Sequence, residues 1–337
     1  MIHFQAPRRL VILVLTAMVL LTLTITGCQP QKPADTPQKI TIAHSTAGNA
    51  ILMTIALMKD YLKEEGLDVT PQPHGFGKLA LQSVIEGKAD IATAGDTPIV
   101  FAVMGGKKIT VLSVIQISNK NEAIVARQDR GIAKPSDLKG KKLGITLGTT
   151  GHFFANSFLM LHGIDINHVK VIDLKPDEMA AALAKGKVDA VSTWNPILIQ
   201  LTKILGKNGI IFFGESIYTE NFCAIAGQEY VKKNPEAIKK VLRALTKAET
   251  FVQQHPEESR KLVAEFLKID KTVLDETWDI FTFRNVLDQA LLVDLEDQTR
   301  WAIKNRLVAR RDMPNYLDFI YCDGLAAVKP EAVRIIR

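Results

Sequence analysis

Small polar residues follow two strand-like segments of the chain, residues 39–43 and 143–147. Each polar loop opens a segment whose apolar residues recur at helical spacing. Hydroxyls and free backbone N–H groups at a helix start favour an anionic group, and glycine lets a ligand approach the backbone. Helix capping explains either loop alone, but not hydroxyls at both. We therefore predict ligand contacts from His44, Ser45, Thr46, Asn49, Gly148, Thr149, Thr150 and His152.

A second pair of loops places a polar residue before proline at the end of a strand-like segment, in Asp96-Thr97-Pro98 and Trp194-Asn195-Pro196. Asp96 is either a helix N-cap or an acceptor for a ligand donor, and Trp194 is either a core residue or a flat cleft wall. An aromatic between glycines at 75–77 and an amide at 221 complete the set. The further predicted contacts are Phe76, Asp96, Thr97, Trp194, Asn195 and Asn221.

Catalytic signatures are missing from the sequence. It contains neither a Gly-x-Ser-x-Gly elbow nor a phosphate-binding Gly-x-x-x-x-Gly-Lys, and its seven histidines are scattered. Cysteine and histidine do not cluster at metal-ligand spacing. We expect no catalytic residue, no metal and no cofactor, and a binding function rather than an enzyme.

The elements that must position these loops alternate between strand and helix from residue 40 to about residue 214, which predicts α/β units. Residues 49–65 are predicted as one helix, and residues 235–254 as another, with Asn234 as its N-cap. The run 87–91 (GKADI) returns as 186–190 (GKVDA), and the loops around it return in the same order. We interpret this as two related α/β lobes, followed by a mainly helical segment.

Length and composition agree with two lobes. The chain has 337 residues and 47% apolar residues, with 42 Lys+Arg against 36 Asp+Glu. At roughly 150 residues per domain, this allows about two domains and excludes a disordered chain. A single apolar run, residues 10–25, excludes a polytopic membrane protein. The small excess of basic residues does not indicate nucleic-acid binding, and we do not expect nucleic acid as a partner.

The N-terminus has the pattern of an export signal. Arg8 and Arg9 precede the apolar run, and Ile25-Thr26-Gly27-Cys28 resembles the lipobox of bacterial lipoproteins. The resemblance implies a signal peptide at 1–27 and a lipid on Cys28 that anchors the protein to a membrane, facing outside the cytosol. An ordinary anchor helix is the alternative. Residues 28–38 are predicted as a proline-rich tether. Cys223 and Cys322 either pair or stay as buried thiols.

The chain resembles the extracytoplasmic solute-binding proteins of ABC importers, in the branch that binds aliphatic sulfonates, taurine, nitrate and thiamine precursors. The resemblance is carried by the 86–96 element, the Gly148-Thr-Thr-Gly loop, the 185–196 element and the helix from Pro235. It implies a two-lobed periplasmic-binding-protein fold of type II, with two crossing strands at 121–127 and 222–226 as a hinge. Lobe one would span 39–125 plus 225–337, and lobe two 126–224.

The resemblance also implies hinge closure around a small-molecule ligand, docking on a permease with its ATPase, and a monomer. A small organic anion of the sulfonate type is the preferred ligand, although no arginine lies in the predicted loops. A thiamine pyrimidine precursor or another small heterocycle remains open. The alternatives of another class are a biosynthetic enzyme of the thiamine-pyrimidine type and a binding module that feeds a sensor.

Overall fold

The computed structural model describes residues 1–2 and 37–336. Residues 3–27 of the predicted signal peptide, Cys28 and most of the tether lie outside these residues. From Pro37 onward the chain forms one compact unit. The described part contains no helix that is both long and apolar enough to cross a membrane.

Ten strands of this unit form two five-stranded sheets. In chain order they are β1 (Gln38–Ser45), β2 (Leu67–His74), β3 (Ile91–Gly95), β4 (Ile109–Ser118), β5 (Glu122–Arg127), β6 (Lys142–Ile145), β7 (Lys170–Asp173), β8 (Ala190–Trp194), β9 (Gly209–Phe213) and β10 (Glu220–Gly227). The first sheet has the order β2-β1-β3-β10-β4, and the second has the order β7-β6-β8-β5-β9. A further short pair joins β11 (Leu287–Asp288) to β12 (Val333–Arg334).

The two sheets share one plan. In each, the second strand runs parallel to both of its neighbours, and the fourth strand runs antiparallel to the third. The chain passes from the first sheet to the second between β4 and β5, and returns between β9 and β10. The fourth place in each sheet is therefore filled by a strand that begins just after such a passage, β10 in the first sheet and β5 in the second.

Helices cover the sheets and form the C-terminal segment. They are α1 (Ile51–Met58), α2 (Tyr61–Glu64), α3 (Gly77–Ile85), α4 (Asp96–Met104), α5 (Thr150–Leu161), α6 (Met179–Ala184), α7 (Ile197–Leu205), α8 (Gln228–Lys233), α9 (Pro235–Gln254), α10 (Pro256–Leu267), α11 (Lys271–Thr277), α12 (Gln289–Lys304) and α13 (Cys322–Ala326). The predicted α/β class and helical C-terminal region are confirmed.

Burial explains why the strands carry apolar runs. All five residues of β3 and of β8 are buried, as expected for strands covered on both faces. In α9, residues 238, 241, 242 and 245 form a buried stripe at helical spacing, which packs into the core of the first sheet. Each fully buried aliphatic side chain stabilises the fold by roughly 1.5–3 kcal/mol. Cys223 and Cys322 are buried, free thiols.

Some predicted boundaries are wrong for local reasons. The single helix at 49–65 is two helices, because Asp60 adopts a left-handed conformation with φ 56° between them. Asn234 precedes α9, but its side chain gives no capping bond and donates instead to the Tyr230 carbonyl. Strand β2 carries Pro71 and Pro73, which an edge strand tolerates because one row of its N–H groups has no partner strand.

Candidate functional site

A small cavity lies where loops at the carboxyl ends of the parallel strands of both sheets meet, the usual place for a ligand in an α/β fold. Its volume is about 20 Å³, room for about one water molecule. Elements of the two sheets are thus nearly closed on each other here. The lining residues are Asn49, Phe76, Gly77, Lys78, Gly95, Pro98, Thr149, Thr150, Trp194, Glu220 and Phe222.

Five of the predicted residues line this cavity, and local bonds hold them there. Ser45 Oγ donates to Asn49 Oδ1 at 2.9 Å, so Ser45 orients Asn49 without lining the cavity itself. Thr149 is the N-cap residue of α5, but its hydroxyl donates to the Thr146 carbonyl at 2.7 Å. The first N–H groups of α5 therefore keep their capacity to bind an acceptor beside Thr150.

Phe76 and Trp194 form an aromatic pair across the cavity. Their ring centroids are 6.3 Å apart, and the rings are tilted by 43°. Trp194 is 3% exposed, yet its indole Nε1 has no hydrogen-bond partner among the described residues. Trp194 is therefore a buried residue that also lines the cavity.

Lys78 is a cavity residue that our sequence analysis missed. It lies in the first turn of α3, and its Nζ donates to the Leu147 carbonyl at 2.8 Å, directly before the Gly148 loop. Burial lowers the pKa of Lys78. Gly148 has φ +70°, and a Cβ there would lie 3.2 Å from Lys78 Nζ. This contact places a cation at the loop that was predicted to bind an anion. The available signal was the basic residue directly after Gly77.

Asp96 is fully buried and does not line the cavity. Its carboxylate accepts from the Tyr218 hydroxyl, from the Asn221 backbone N–H at 3.0 Å and from the Thr97 N–H at 2.8 Å. Gly95, not Asp96, is the N-cap residue of α4, which corrects the capping interpretation. Burial raises the pKa of Asp96. The Asp96 carboxylate therefore links the start of α4 to the segment through which the chain returns to the first sheet at β10.

Thr97 and Asn221 belong to the same buried network. Thr97 Oγ1 donates to Gln298 Oε1 at 2.5 Å, and Asn221 Nδ2 donates to Asp294 Oδ2 at 2.7 Å. Both partners lie on α12, so the network joins the C-terminal helices to the end of the first sheet. Neither residue lines the cavity.

Four other predicted residues also lie outside the lining. The ring of buried His44 is tilted by 46° against that of Phe266, with centroids 5.3 Å apart, and Thr46 donates to the His74 carbonyl at 3.0 Å. The Asn195 backbone N–H donates to Asn121 Oδ1 at 3.2 Å. His152 accepts from the Gly148 N–H at 3.2 Å, and burial, with the charge of Lys78, lowers the pKa of His152 to about 4.

A buried pair of glutamates at the cavity is the feature that sequence reasoning missed most clearly. Glu220 lines the cavity, and Glu122 lies near it in the neighbouring crossing strand. Burial, and secondly the charge of Asp96, raises the pKa of Glu220 to about 8. The available signal was an acidic residue at the start of each strand-like crossing segment.

The cavity combines two aromatic walls, hydroxyls, one lysine and one glutamate, which suits a small polar solute better than a covalent reaction. Within the described residues, no group of three or more His, Cys, Asp or Glu side chains is arranged to hold a metal ion.

Comparisons with known proteins agree with this fold. Residues 48–259 match the family model described as NMT1/THI5 like. A Brucella abortus (strain 2308) protein named "Putative binding protein" is 28% identical over 231 residues, covering 66% of this chain and 70% of the relative. The "Putative aliphatic sulfonates-binding protein" of Bacillus subtilis (strain 168) is 26% identical over 219 residues, covering 64% of this chain and 65% of the relative.

Among solved structures, the alkanesulfonate-binding protein SsuA from Xanthomonas axonopodis pv. citri, bound to MOPS, aligns with a TM-score of 0.75. The alignment covers 86% of this chain and 99% of that structure at 20% identity, so this likeness shows the fold. The expected resemblance to extracytoplasmic solute-binding proteins is confirmed. Because the family model matches well over half of the sequence, this chain belongs to the NMT1/THI5-like family.

Proposed function

We propose that this chain is the extracytoplasmic solute-binding component of an ABC importer. It captures a small solute by closing two lobes and does not catalyse a reaction. One lobe comprises residues 39–125 and 225–337, and the other comprises residues 126–224. The observation that carries this proposal is the cavity itself, because residues from both sheets line it. The two chain passages between the sheets provide the hinge, and a solute that contacts both sides stabilises the closed form.

The preferred solute is a small organic anion of the sulfonate type. Lys78 and the free backbone N–H groups at the start of α5 place positive charge and donors at the cavity, where α3 and α5 meet. Relatives named for aliphatic sulfonates and taurine support this class. The aromatic pair of Phe76 and Trp194 favours a second candidate, a small flat heterocycle such as a thiamine pyrimidine precursor.

A thermal-shift panel tests solute capture. The ligand-stripped chain is heated with taurine, ethanesulfonate, nitrate, 4-aminopyrimidine or pyrimidine, and we expect at least one to raise the melting temperature, because binding only the folded state stabilises it. Trp194→Phe should weaken binding of that solute about tenfold, since it removes the free Nε1 donor. Trp278→Phe, a buried tryptophan outside the cavity lining, is the matched control. No shift with any member argues against the proposal.

The partners of this proposal are a permease with its ATPase, reached by a monomer held at the membrane through lipid on Cys28. Closed lobes would present a surface that the open form lacks, which lets a transporter distinguish loaded from empty protein. Feeding a sensor instead of a permease is the remaining alternative in the same class. A solute-stimulated ATPase assay with the reconstituted permease separates the two, because a sensor-feeding module gives no stimulation.

A further inference from the structure

Two glutamates from the two crossing strands meet beside the cavity. Glu122 is the first residue of β5 in the second sheet, and Glu220 is the first residue of β10 in the first sheet. They are 3% and 2% exposed. Glu122 pairs directly with Trp194 across the antiparallel ladder, so both side chains project from the same face of the second sheet.

The hydrogen bonds of this pair are incomplete. Glu220 Oε2 accepts from Asn121 Nδ2 at 2.7 Å. Glu122 Oε1 is buried and has no partner among the described residues, and neither has the Nε1 donor of the adjacent Trp194. An unpaired buried polar group costs roughly 1–3 kcal/mol, so an unmet acceptor beside an unmet donor indicates a group that binds there.

The groups around the pair are acidic or neutral. Asp96 from α4, Asp294 from α12, and Tyr218 and Cys223 on either side of Glu220 all act on the same buried region. Burial and the charge of Asp96 raise the pKa of Asp294 to about 7. Burial, and then the charge of Glu220, raises the pKa of Glu122 well above its usual range. Among residues 37–336, these four carboxyls form no ion pair, and Lys78 donates to the Leu147 carbonyl instead.

We infer that the solute carries a protonated or cationic nitrogen group, and that this group is bound by the carboxylates of Glu122 and Glu220 beside Trp194. The inference rests on the proposed function and names a chemical feature of its solute. The incoming N–H groups supply the donors that Glu122 Oε1 lacks, and the positive charge offsets the repulsion between two carboxylates. Both carboxyls give up their protons to solvent as the cation enters, so that two carboxylates bind it.

The cavity also contains groups that suit an anionic end of the solute. Lys78 and the start of α5 are the anion-favouring groups and could hold a sulfonate or carboxylate of the same solute. They adjoin the glutamates, because Thr150 at the start of α5 hydrogen-bonds Glu122. A zwitterion would contact both groups, whereas a simple anion would leave the carboxyl pair unpaired.

Calorimetric titration of matched solutes tests the inference. Taurine is compared with ethanesulfonate, and 4-aminopyrimidine with pyrimidine, since each pair differs by one amino group. We expect the amino member to bind at least tenfold more tightly, and taurine binding at pH 7 in two buffers of different ionisation enthalpy to show net proton release, up to two protons for the two carboxyls. Glu122→Gln and Glu220→Gln keep the shape and hydrogen-bonding reach of the side chain, and should each weaken the amino member at least tenfold.

Glu215→Gln is the control, because Glu215 lies on the same passage but is exposed and pairs with Lys120. Equal or tighter binding of the member without the amino group overturns the inference and leaves solute capture standing. Unchanged affinity in both glutamine variants, with their folding verified by circular dichroism, also overturns it. If no member of either pair binds, the proposed function fails together with the inference.

Discussion

At the scale of single residues, two buried polar atoms at or beside the cavity have no hydrogen-bond partner within residues 37–336, Trp194 Nε1 and Glu122 Oε1. The Asp96 carboxylate, in contrast, accepts from Tyr218, Asn221 and Thr97. Asp96 therefore holds elements together, and the two unpaired atoms are the candidates for solute contact.

Glu220 gives a testable pH dependence at this scale. Its pKa is about 8 in the folded protein against an ordinary value of 4.5, so its contribution to stability is complete below about pH 4.5 and is lost as the pH rises toward 8. Each pKa unit is worth about 1.4 kcal/mol, so the ligand-free protein should lose up to a few kcal/mol over this window. Urea unfolding at pH 5 and pH 8 measures this loss.

Glu220→Gln should flatten that pH dependence, because glutamine does not titrate and still accepts from Asn121. Glu215→Gln, at an exposed carboxylate on the same passage, is the matched control variant. Equal slopes in wild type and Glu220→Gln would show that Glu220 titrates normally.

The sequence predicted the loops better than it predicted their partners. Asn49, Phe76, Thr149, Thr150 and Trp194 were found because small polar or aromatic residues at strand ends form a recognisable local pattern. Glu122 and Glu220 start segments that otherwise look like buried strands, and their meeting depends on how two distant segments cross between sheets. Contacts of that kind, separated by about a hundred residues, carry no local signal.

At the scale of elements, the junction of β3 and α4 contacts α5, and this contact decides how closely the two sheets approach. Gly95 ends β3 with φ −71°, a conformation open to any residue, yet a Cβ there would lie 2.8 Å from Thr150 Cγ2. The glycine is therefore required by a neighbour on the other sheet and not by its own backbone.

Gly95→Ala should hinder closure and weaken solute binding about tenfold or more, with little effect on the thermal stability of the solute-free protein. The reason is steric, so Thr150→Ser, which removes the methyl group that would clash, should restore affinity in the double variant. Titration calorimetry of the two single variants and the double variant measures the effect. Equal affinity in Gly95→Ala and wild type would show that the two sheets do not come this close when solute is bound.

Predictions of elements succeeded where burial was uniform and failed where one residue changed the local geometry. The helix at 235–254 has the predicted bounds because a continuous apolar stripe fixes it against the core. Asp60 has a left-handed backbone conformation and divides the first predicted helix. Strand β2 was not predicted, because Pro71 and Pro73 are unusual residues in a strand. Strand β9 was also missed; it completes the second sheet beside β5.

At the scale of the whole molecule, two sheets of the same order are joined by two chain passages, and the cavity lies between them. This arrangement supports hinge closure, in which a small solute completes the contacts between two bodies. The lobe boundaries at 125/126 and 224/225 remain a prediction about where those bodies divide.

The membrane anchor is a second prediction at this scale. Cys28 within Ile25-Thr26-Gly27-Cys28 should carry the lipid, so Cys28→Ser should release the protein from membranes into the soluble fraction. Fractionation and immunoblotting of cells that express each form measure this release. An unchanged membrane fraction would contradict lipidation at Cys28, and Cys223→Ser is a control because that thiol is buried.

Solute-dependent closure is tested most directly by the distance between spin labels on opposite rims of the cavity. Exposed Gln82 on α3 and exposed Lys175 after β7 are suitable positions, since Lys78 of α3 lies near Asp173 of β7. Each is replaced by cysteine in the Cys28→Ser chain, where Cys223 and Cys322 are buried from the label. We predict a broad, longer distance distribution without solute and a narrow, shorter one at saturation with the solute found in the thermal-shift panel. The same distribution in both states, with binding verified, would contradict capture by hinge closure.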